Sequence, residues 1–332
     1  MESLDLRVLA DALAWKQGGH AVTLVTVVET WGSAPRPPGA LLAVRDDGVV
    51  SGSVSGGCVE DDLIARTKEA FQSKSPQDEQ RPSMIAYGVS KEEAARFGLP
   101  CGGTLRLVQE PLLDTRWVGE LLARTGAHSL VKRNLTLASG AVVLSDAVRG
   151  DAMQFDGSSL VTIFGPKWRL LLIGAGQLSL AVANMAGLLD FEVLVCDPRE
   201  EYAQSLGIPG VRRCLGMPDD VVRELVPDAH TAIVALTHDP KLDDMALLEA
   251  LKSDAFYVGA LGSRRNQEVR KQRLAEHFGL SLAELTRLHG PVGLRIGAKT
   301  PAEIAVSVLA EIIEVKNAVA QAGALAPGCV LA

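Results

Sequence analysis

Two cysteines in the first half of the chain stand beside glycine pairs, in the runs Gly56-Gly57-Cys58 and Cys101-Gly102-Gly103. Glycine pairs permit backbone shapes that leave a neighbouring side chain at the surface of a loop. Thiolates bind soft metals and carry out redox chemistry. Simple packing is the alternative for both residues, but the adjacent glycines favour Cys58 and Cys101 as ligand-site candidates.

The other three cysteines point to no chemistry of their own. Cys196 lies in an apolar strand and is expected to fill the core, Cys214 is expected to be inert, and Cys329 is near the end of the chain. No C-x-x-C spacing occurs, which argues against a structural zinc site. Five cysteines in 332 residues also do not form a disulfide framework.

A glycine-rich turn in the second half, Gly174-Ala175-Gly176-Gln177-Leu178-Ser179, follows an apolar strand and precedes a predicted helix. It departs from G-x-G-x-x-G at the third glycine, where serine is still small enough for close helix packing. Gly174 and Gly176 let the backbone approach a phosphate, whose charge a helix N-terminus favours. Asp197, after the next strand, is expected to accept hydrogen bonds from ribose hydroxyls. The pattern predicts a nucleotide-like ligand, with a Rossmann-like core that has lost its site as the alternative.

Further polar loops follow the later strands of the same half. His238 comes after one buried strand, and Gly262-Ser263-Arg264 comes after the next. Ligands of open α/β sheets bind beyond the carboxyl ends of the strands, so these loops are expected to share one site. Lys299 is a further anion candidate beside a capping box that Thr300 and Glu303 form. A solvated charge is the alternative for Lys299.

These residues need two different frameworks to position them. The first half mixes predicted helices with strand-rich runs, and residues 1–165 are expected to form an α+β domain. Gly165-Pro166-Lys167 indicates a boundary. Beyond it, strands and helices alternate, which predicts a Rossmann-like domain with a parallel sheet over residues 166–332. The fold class is therefore α/β.

Composition restricts the kind of partner. A net charge of −7 and a pI near 5.5 argue against a general nucleic-acid binder. No run of about eighteen apolar residues occurs, so no membrane span is expected. The first residues lack the cationic start of a secretory signal, and a cytoplasmic location is expected. A homodimer is the expected assembly.

Taken together, the motifs resemble the XdhC/CoxI family, the accessory proteins of xanthine dehydrogenase and related molybdenum hydroxylases. One departure is Gln177, where the family often has histidine. The matching stretches span nearly the whole chain in family order: GSAPRPPGA (32–40), GSVSGGCVE (52–60), CGG (101–103), LIGAGQLSLA (172–181), VCDPR (195–199), THDPKLDD (237–244), YVGALGSRR (257–265) and PVGLRIGAKTPAEIAVSVLAEI (291–312).

The resemblance implies a non-catalytic maturation factor. It would bind the molybdenum cofactor, as molybdopterin or its cytosine dinucleotide, while a cysteine desulfurase supplies the sulfido ligand. It would then deliver the cofactor to the large subunit of an apo-hydroxylase. On this sequence, Cys58 and Cys101 become the candidate molybdenum-proximal thiols. Gly174, Gly176 and Asp197 would face the phosphate side.

Two other classes of function stay open. The second domain could serve an NAD-dependent oxidoreductase, for which His238 is the one strong acid–base candidate and no substrate anchor is evident. The chain could instead be a ligand sensor or scaffold with a vestigial nucleotide fold. Bound molybdenum and pterin, stabilisation by NAD with turnover, and no small-molecule binding at all would distinguish the three.

Overall fold

The structure is a computed structural model, and it describes residues 3–30, 36–57, 59–73, 81–88, 104–199, 201 and 207–324. Two compact units divide the chain, Met1–Pro166 and Lys167–Ala332. The predicted α/β fold class is confirmed. The second unit has the parallel sheet that alternating strands and helices predict.

The described residues of the first unit form two antiparallel sheets. One has the strand order β3-β2-β1-β5-β4 and the other the order β7-β6-β9-β8. Its elements are α1 (Ser3–Gln17), β1 (Val22–Thr30), β2 (Leu41–Arg45), β3 (Val50–Gly52), α2 (Glu60–Ser73), β4 (Ser83–Tyr87), β5 (Leu105–Pro111), α3 (Arg116–Gly126), β6 (Val131–Thr136), β7 (Ala141–Asp146), β8 (Gln154–Phe155) and β9 (Ser159–Phe164).

The five-stranded sheet has apolar side chains on both faces, which explains its almost unbroken apolar central strands. One face packs against α1 and α3 through residues such as Leu9, Leu24 and Leu121. The other face packs against α2 through Leu42 and Leu63. A hairpin forms around Asp46-Asp47-Gly48, because β2 and β3 pair antiparallel on either side of it.

The second unit is a six-stranded parallel sheet with the order β12-β11-β10-β13-β14-β15. This is the Rossmann order, because the first strand lies centrally and the chain fills one side before it crosses to the other. Its elements are β10 (Arg169–Ile173), α4 (Gln177–Leu188), β11 (Glu192–Cys196), β12 (Arg212–Cys214), α5 (Pro218–Leu225), β13 (Thr231–Ala235), α6 (Pro240–Lys252), β14 (Tyr257–Ala260), α7 (Arg264–Phe278), α8 (Leu282–Thr286), β15 (Leu288–His289) and α9 (Pro301–Ala324).

Helices cover both faces of this sheet. α4 and α9 pack on one face through Val182, Ala186 and Val308. Residues of α5, α6 and α7 pack on the other, as Val222, Leu247 and Leu274 show. All five residues of β10 and of β13 are buried, as expected for central parallel strands. The strand order places the switch point between β10 and β13, where ligands of this fold class bind.

No helix in the described part of the chain is both long and apolar enough to cross a membrane.

Candidate functional site

The loops after β10 and β13 touch each other at the switch point. Gly174 has a φ of 105°, and a Cβ placed on it would lie 3.0 Å from Thr237 Cγ2 and 3.1 Å from Thr237 Cα. Only glycine avoids both the left-handed strain and this contact. Gly174 is therefore required by the fold itself, whatever the loop binds.

Gly176 differs from Gly174 in what its surroundings demand. It is the N-cap residue of α4 with a φ of −78°, and no side chain caps that helix end. A Cβ on Gly176 would meet nothing within 4 Å. The described residues therefore give no reason for glycine at this position. Open space beside uncapped helix amides is the geometry of an anion cradle. Gln177 begins α4 and is exposed.

Ser179 occupies the third position of the glycine pattern. It is fully buried on α4, and its hydroxyl has no hydrogen-bond partner among the described residues. The small side chain lets α4 approach the sheet closely, as the sequence predicted.

Asp197 is buried beneath the glycine turn. Its Oδ2 accepts the backbone N–H of Ala175 at 2.9 Å and Arg199 Nη2 at 2.8 Å. Its Oδ1 accepts the backbone N–H and Nε of Arg199, at 3.0 and 2.9 Å. Burial alone would raise the pKa of Asp197, but these hydrogen bonds outweigh it and lower the pKa. Asp197 thus ties the end of β11 to the turn after β10, and its contact with a ribose stays a prediction.

His238 is exposed and has a φ of 63°. A left-handed conformation in a non-glycine residue costs about 1–3 kcal/mol and is found most often at functional sites. The loop is held by Asp243, whose Oδ1 accepts Thr237 Oγ1 at 2.7 Å and the Thr237 N–H at 3.2 Å. Asp239 caps α6 by accepting the Lys241 N–H at 2.9 Å.

A buried polar network joins this loop to the loop after β14. Arg270 donates to Asp243 Oδ2 at 3.0 Å and to the Leu261 carbonyl at 3.1 Å. Gln267 donates to the Ala260 carbonyl at 2.9 Å. Burial raises the pKa of Asp243, against the lowering effects of Thr237 and Arg270. Arg270 therefore helps to hold both the loop after β13 and the loop after β14 in place.

The remaining predicted residues of this unit lie at the starts of two helices. Ser263 caps α7 by accepting the Asn266 N–H, Gly262 has a φ of 149°, and Arg264 is exposed. Lys299 is exposed, and its N–H donates to Glu303 Oε2 at 2.7 Å. The predicted capping box is present, since the Thr300 N–H donates to Glu303 and the Glu303 N–H donates to Thr300 Oγ1.

Strand order predicts that these loops share one site, which stays a prediction, and the structure places several of the loops next to one another. Residues after β10, β11, β13 and β14 all lie at the carboxyl edge of one parallel sheet. Contacts join Gly174 to Thr237, Ala175 to Asp197, and Thr237 through Asp243 and Arg270 to Leu261.

In the first unit, the loop that leads to Cys58 wraps around one carboxylate. Glu60 Oε1 accepts Ser53 Oγ at 2.7 Å and the N–H groups of Val54 and Ser55 at 3.0 and 2.9 Å. Glu60 Oε2 accepts the Gly57 N–H at 2.9 Å and Ser55 Oγ. Burial opposes these contacts, yet the pKa of Glu60 falls from its ordinary 4.5 to about 2. Glu60 thus organises the loop.

Two glycines form the exposed side of that loop. Gly56 and Gly57 are exposed and have φ values of 82° and 124°. A Cβ on Gly57 would meet nothing within 4 Å. Cys58, Cys101, Gly102 and Gly103 lie outside the described residues, so the proposed thiols stay a prediction.

Cys196 and Cys214 are neighbours on β11 and β12. They are paired in register, and Cys196 is fully buried. Burial raises the pKa of both thiols, that of Cys196 to about 12. Neither is a ready thiolate at neutral pH, as expected for core cysteines. The described residues contain no group of three or more potential metal-binding side chains.

A separate cavity of about 360 Å³ lies in the first unit, lined by Glu110, Leu112, Trp117 and Val142 among others. None of the predicted site residues lines it. Its two carboxylates already have cationic partners, because Arg133 Nη2 donates to Glu110 Oε2 at 2.5 Å and Arg116 Nη2 donates to Asp114 Oδ2 at 2.8 Å. We assign it no part in the candidate site.

Sequence reasoning missed a cluster at the end of β15. His289, Glu311 and Tyr257 are in mutual contact there, although 54 residues separate Tyr257 from Glu311 along the chain. A histidine at a strand end next to Gly290-Pro291 was the available signal. Nothing local indicated that a glutamate of the last helix would face it.

Comparison with known proteins gives two family matches. Residues 15–87 match the model of the XdhC and CoxI family, and residues 170–312 match that of the XdhC Rossmann domain. The chain is 30% identical over 315 residues to the molybdenum cofactor insertion chaperone PaoD of Escherichia coli, covering 94% of this chain and 87% of that protein. It is 28% identical over 344 residues to a protein of Bacillus subtilis named as a probable xanthine dehydrogenase subunit, covering 95% and 99%.

The fold as a whole has a counterpart among solved structures. A crystal structure of a protein named as a xanthine dehydrogenase from Bacillus halodurans aligns with a TM-score of 0.77 over 98% of both chains. The sequence identity is 24%, so this likeness speaks for the fold alone.

Proposed function

The chain belongs to the XdhC and CoxI family, and from that premise we propose that it binds the molybdenum cofactor and inserts it into a xanthine dehydrogenase-type molybdenum hydroxylase. A relative of nearly the same length, 30% identical, is named as a chaperone for this insertion. In this proposal the protein carries and hands over the cofactor and does not turn over a substrate.

The observation that carries the proposal is the open space at Gly176. The turn after β10 presents helix amides without a side-chain cap, and nothing in the described structure occupies the direction of the missing Cβ. A phosphate fits such a cradle because backbone N–H groups and the helix dipole both favour negative charge. The cofactor has a phosphate at one end, which this turn would hold.

Charged and polar residues of the neighbouring loops support the same site. His238, Ser263 and Arg264 follow adjacent strands at the carboxyl edge, and Lys299 precedes α9. Arginine and lysine would add positive charge toward a phosphate. Asp197 would act mainly by positioning, since four hydrogen bonds already occupy its two oxygens.

We favour the cytosine dinucleotide form of the cofactor over the mononucleotide. Leu215 follows β12 and is 81% exposed, and Met217 close by is 38% exposed. β12 is two strands from β10, which is a distance of about 10 Å at the usual strand spacing. An apolar surface at that distance from the phosphate cradle suits the base of a nucleotide.

The thiols of Cys58 and Cys101 are proposed to protect the metal end. Bound cofactor supplies the molybdenum and dithiolene sulfurs that the hydroxylase later uses. Soft thiolate ligands suit such a centre. We further propose that a cysteine desulfurase provides the sulfido ligand while the cofactor is held, and that the carrier is a homodimer. Cys58→Ala and Cys101→Ala variants should fold but retain less molybdenum than the parent protein.

The test is activation of a hydroxylase in cells. A xanthine dehydrogenase-type enzyme is produced with and without this protein in a host that makes the cofactor but lacks its own homologue. Only co-production should yield enzyme with molybdenum and activity. Equal activation without the protein would contradict the proposal. NAD-dependent turnover of a hydroxy acid by the purified protein would favour an oxidoreductase instead.

A further inference from the structure

The last strand of the parallel sheet ends in an oriented histidine. His289 is the final residue of β15 and pairs in register with Gly259 of β14. Its Nδ1 lies 3.1 Å from Glu311 Oε1. Its ring stacks on Tyr257, with ring centroids 4.4 Å apart and planes inclined by 26°. The contact with Glu311 and the stacking on Tyr257 together fix the orientation of the imidazole.

Glu311 is itself held by three donors. Besides His289, it accepts Tyr257 Oη at 2.6 Å and the Gly293 N–H at 2.6 Å, both at Oε2. Burial would raise the pKa of Glu311, but these hydrogen bonds outweigh it, and the pKa lies below its ordinary value. The carboxylate is therefore ionised at neutral pH. A neutral imidazole beside it carries its proton on Nδ1 and leaves Nε2 as an acceptor.

The Nε2 atom is open to solvent. It has no hydrogen-bond partner among the described residues. Because it is also not one of the buried polar atoms without a partner, it is accessible to solvent. The His289 side chain is 30% exposed, while that of Glu311 is 16% exposed. A carboxylate behind one ring nitrogen and a free second nitrogen is the arrangement by which proteins present an imidazole to a ligand.

The backbone is adapted to this cluster. A Cβ on Gly259 would lie 2.8 Å from Tyr257 Cε1 and 2.7 Å from Val292 Cγ2. Glycine at 259 therefore makes room for the tyrosine ring on which His289 stacks. Because β13, β14 and β15 are adjacent and parallel, His289 lies at the same sheet edge as the His238 and Gly262 loops.

We propose that His289 is a ligand-binding residue, whose Nε2 accepts a hydrogen bond from a ring N–H of a heterocyclic ligand, with Glu311 and Tyr257 as positioning residues. The inference rests on the proposed function and deepens it. The phosphate turn lies after β10, three strands away, so His289 would contact the part of the ligand that is remote from the phosphate. A pterin has the required N–H groups.

Two variants of His289 distinguish the proposed ligand contact from a purely structural role, in which the residue would only link β15 to α9. His289→Asn keeps an amide near Nδ1 for Glu311 but has no atom at the Nε2 position. His289→Gln keeps a polar group near Nε2 and loses the link to Glu311. We expect His289→Asn to lower the molybdenum and pterin content of the purified full-length protein about tenfold, the effect of one lost hydrogen bond, with a smaller drop in Tm than His289→Gln shows. His289→Gln should retain most of the content with a lower Tm.

Outcomes separate this inference from the proposed function. Wild-type protein without molybdenum or pterin, purified from a cofactor-producing host, would contradict the proposed function itself. Loaded wild-type protein with equal loading of His289→Asn, or with greater loss in His289→Gln, would overturn the role of His289 alone. Nitrogen-15 NMR of the wild-type protein is independent of variant folding. It should show the proton on Nδ1, and a proton on Nε2 of the neutral ring would also overturn the inference.

Discussion

Gly174 and Thr237 are in direct contact at the point where the Rossmann sheet reverses its strand order. The missing Cβ of Gly174 would lie 3.0–3.1 Å from three atoms of Thr237. Gly176, two residues further on, has free space beside it, because a Cβ there would meet nothing within 4 Å. Packing thus explains the glycine at position 174 and does not explain the one at position 176.

Gly174→Ala should destabilise the second unit. The substitution combines a φ of 105° with a close contact to backbone, and we expect a loss of about 1–3 kcal/mol in the free energy of unfolding. Urea unfolding followed by circular dichroism measures it. Gly126→Ala is a control for an uncrowded glycine, because a Cβ there meets nothing within 4 Å. Equal stability of the two variants would contradict the assigned contact.

Arg270→Met should lower the free energy of unfolding by more than its position on an outer helix suggests. Asp243 is fully buried, and loss of its buried cation costs about 3–5 kcal/mol. Adding Asp243→Asn should recover part of the loss, which a double-mutant cycle by urea unfolding would measure. Arg265→Met on the same helix, at an exposed position, is the control. Additive effects in the cycle would mean that Arg270 and Asp243 are not coupled.

Glu60 should make the stability of the first unit depend on acid. Its folded pKa of about 2 is below the ordinary 4.5, so the stabilisation is complete above pH 4.5 and is lost as the pH falls toward 2. Glu60→Gln cannot titrate and leaves donors of the loop unpaired. It should cost about 1–3 kcal/mol at neutral pH and flatten the acid dependence. Thermal unfolding of both proteins between pH 2 and pH 6 checks this, and parallel curves would refute it.

The sequence predicted the parts of the site that depend on local pattern. β10 followed by Gly174-Ala175-Gly176, and the capping box of Thr300 and Glu303, are each specified within a few residues. Glu60 is the first residue of α2, and its role in holding the preceding loop is evident only from the path of the backbone. Pairs such as His289 with Glu311 depend on how the last helix docks, which periodicity alone does not fix.

The most direct measurement of the central claim is the molybdenum and pterin content of the purified protein with and without the cradle at Gly176. Gly176→Ala should fold normally, because a Cβ there meets nothing within 4 Å, but should block the phosphate and lose bound cofactor by tenfold or more. Gly187→Ala, equally uncrowded on the same helix, should keep the wild-type content. A folded Gly176→Ala protein with wild-type molybdenum and pterin would contradict the account.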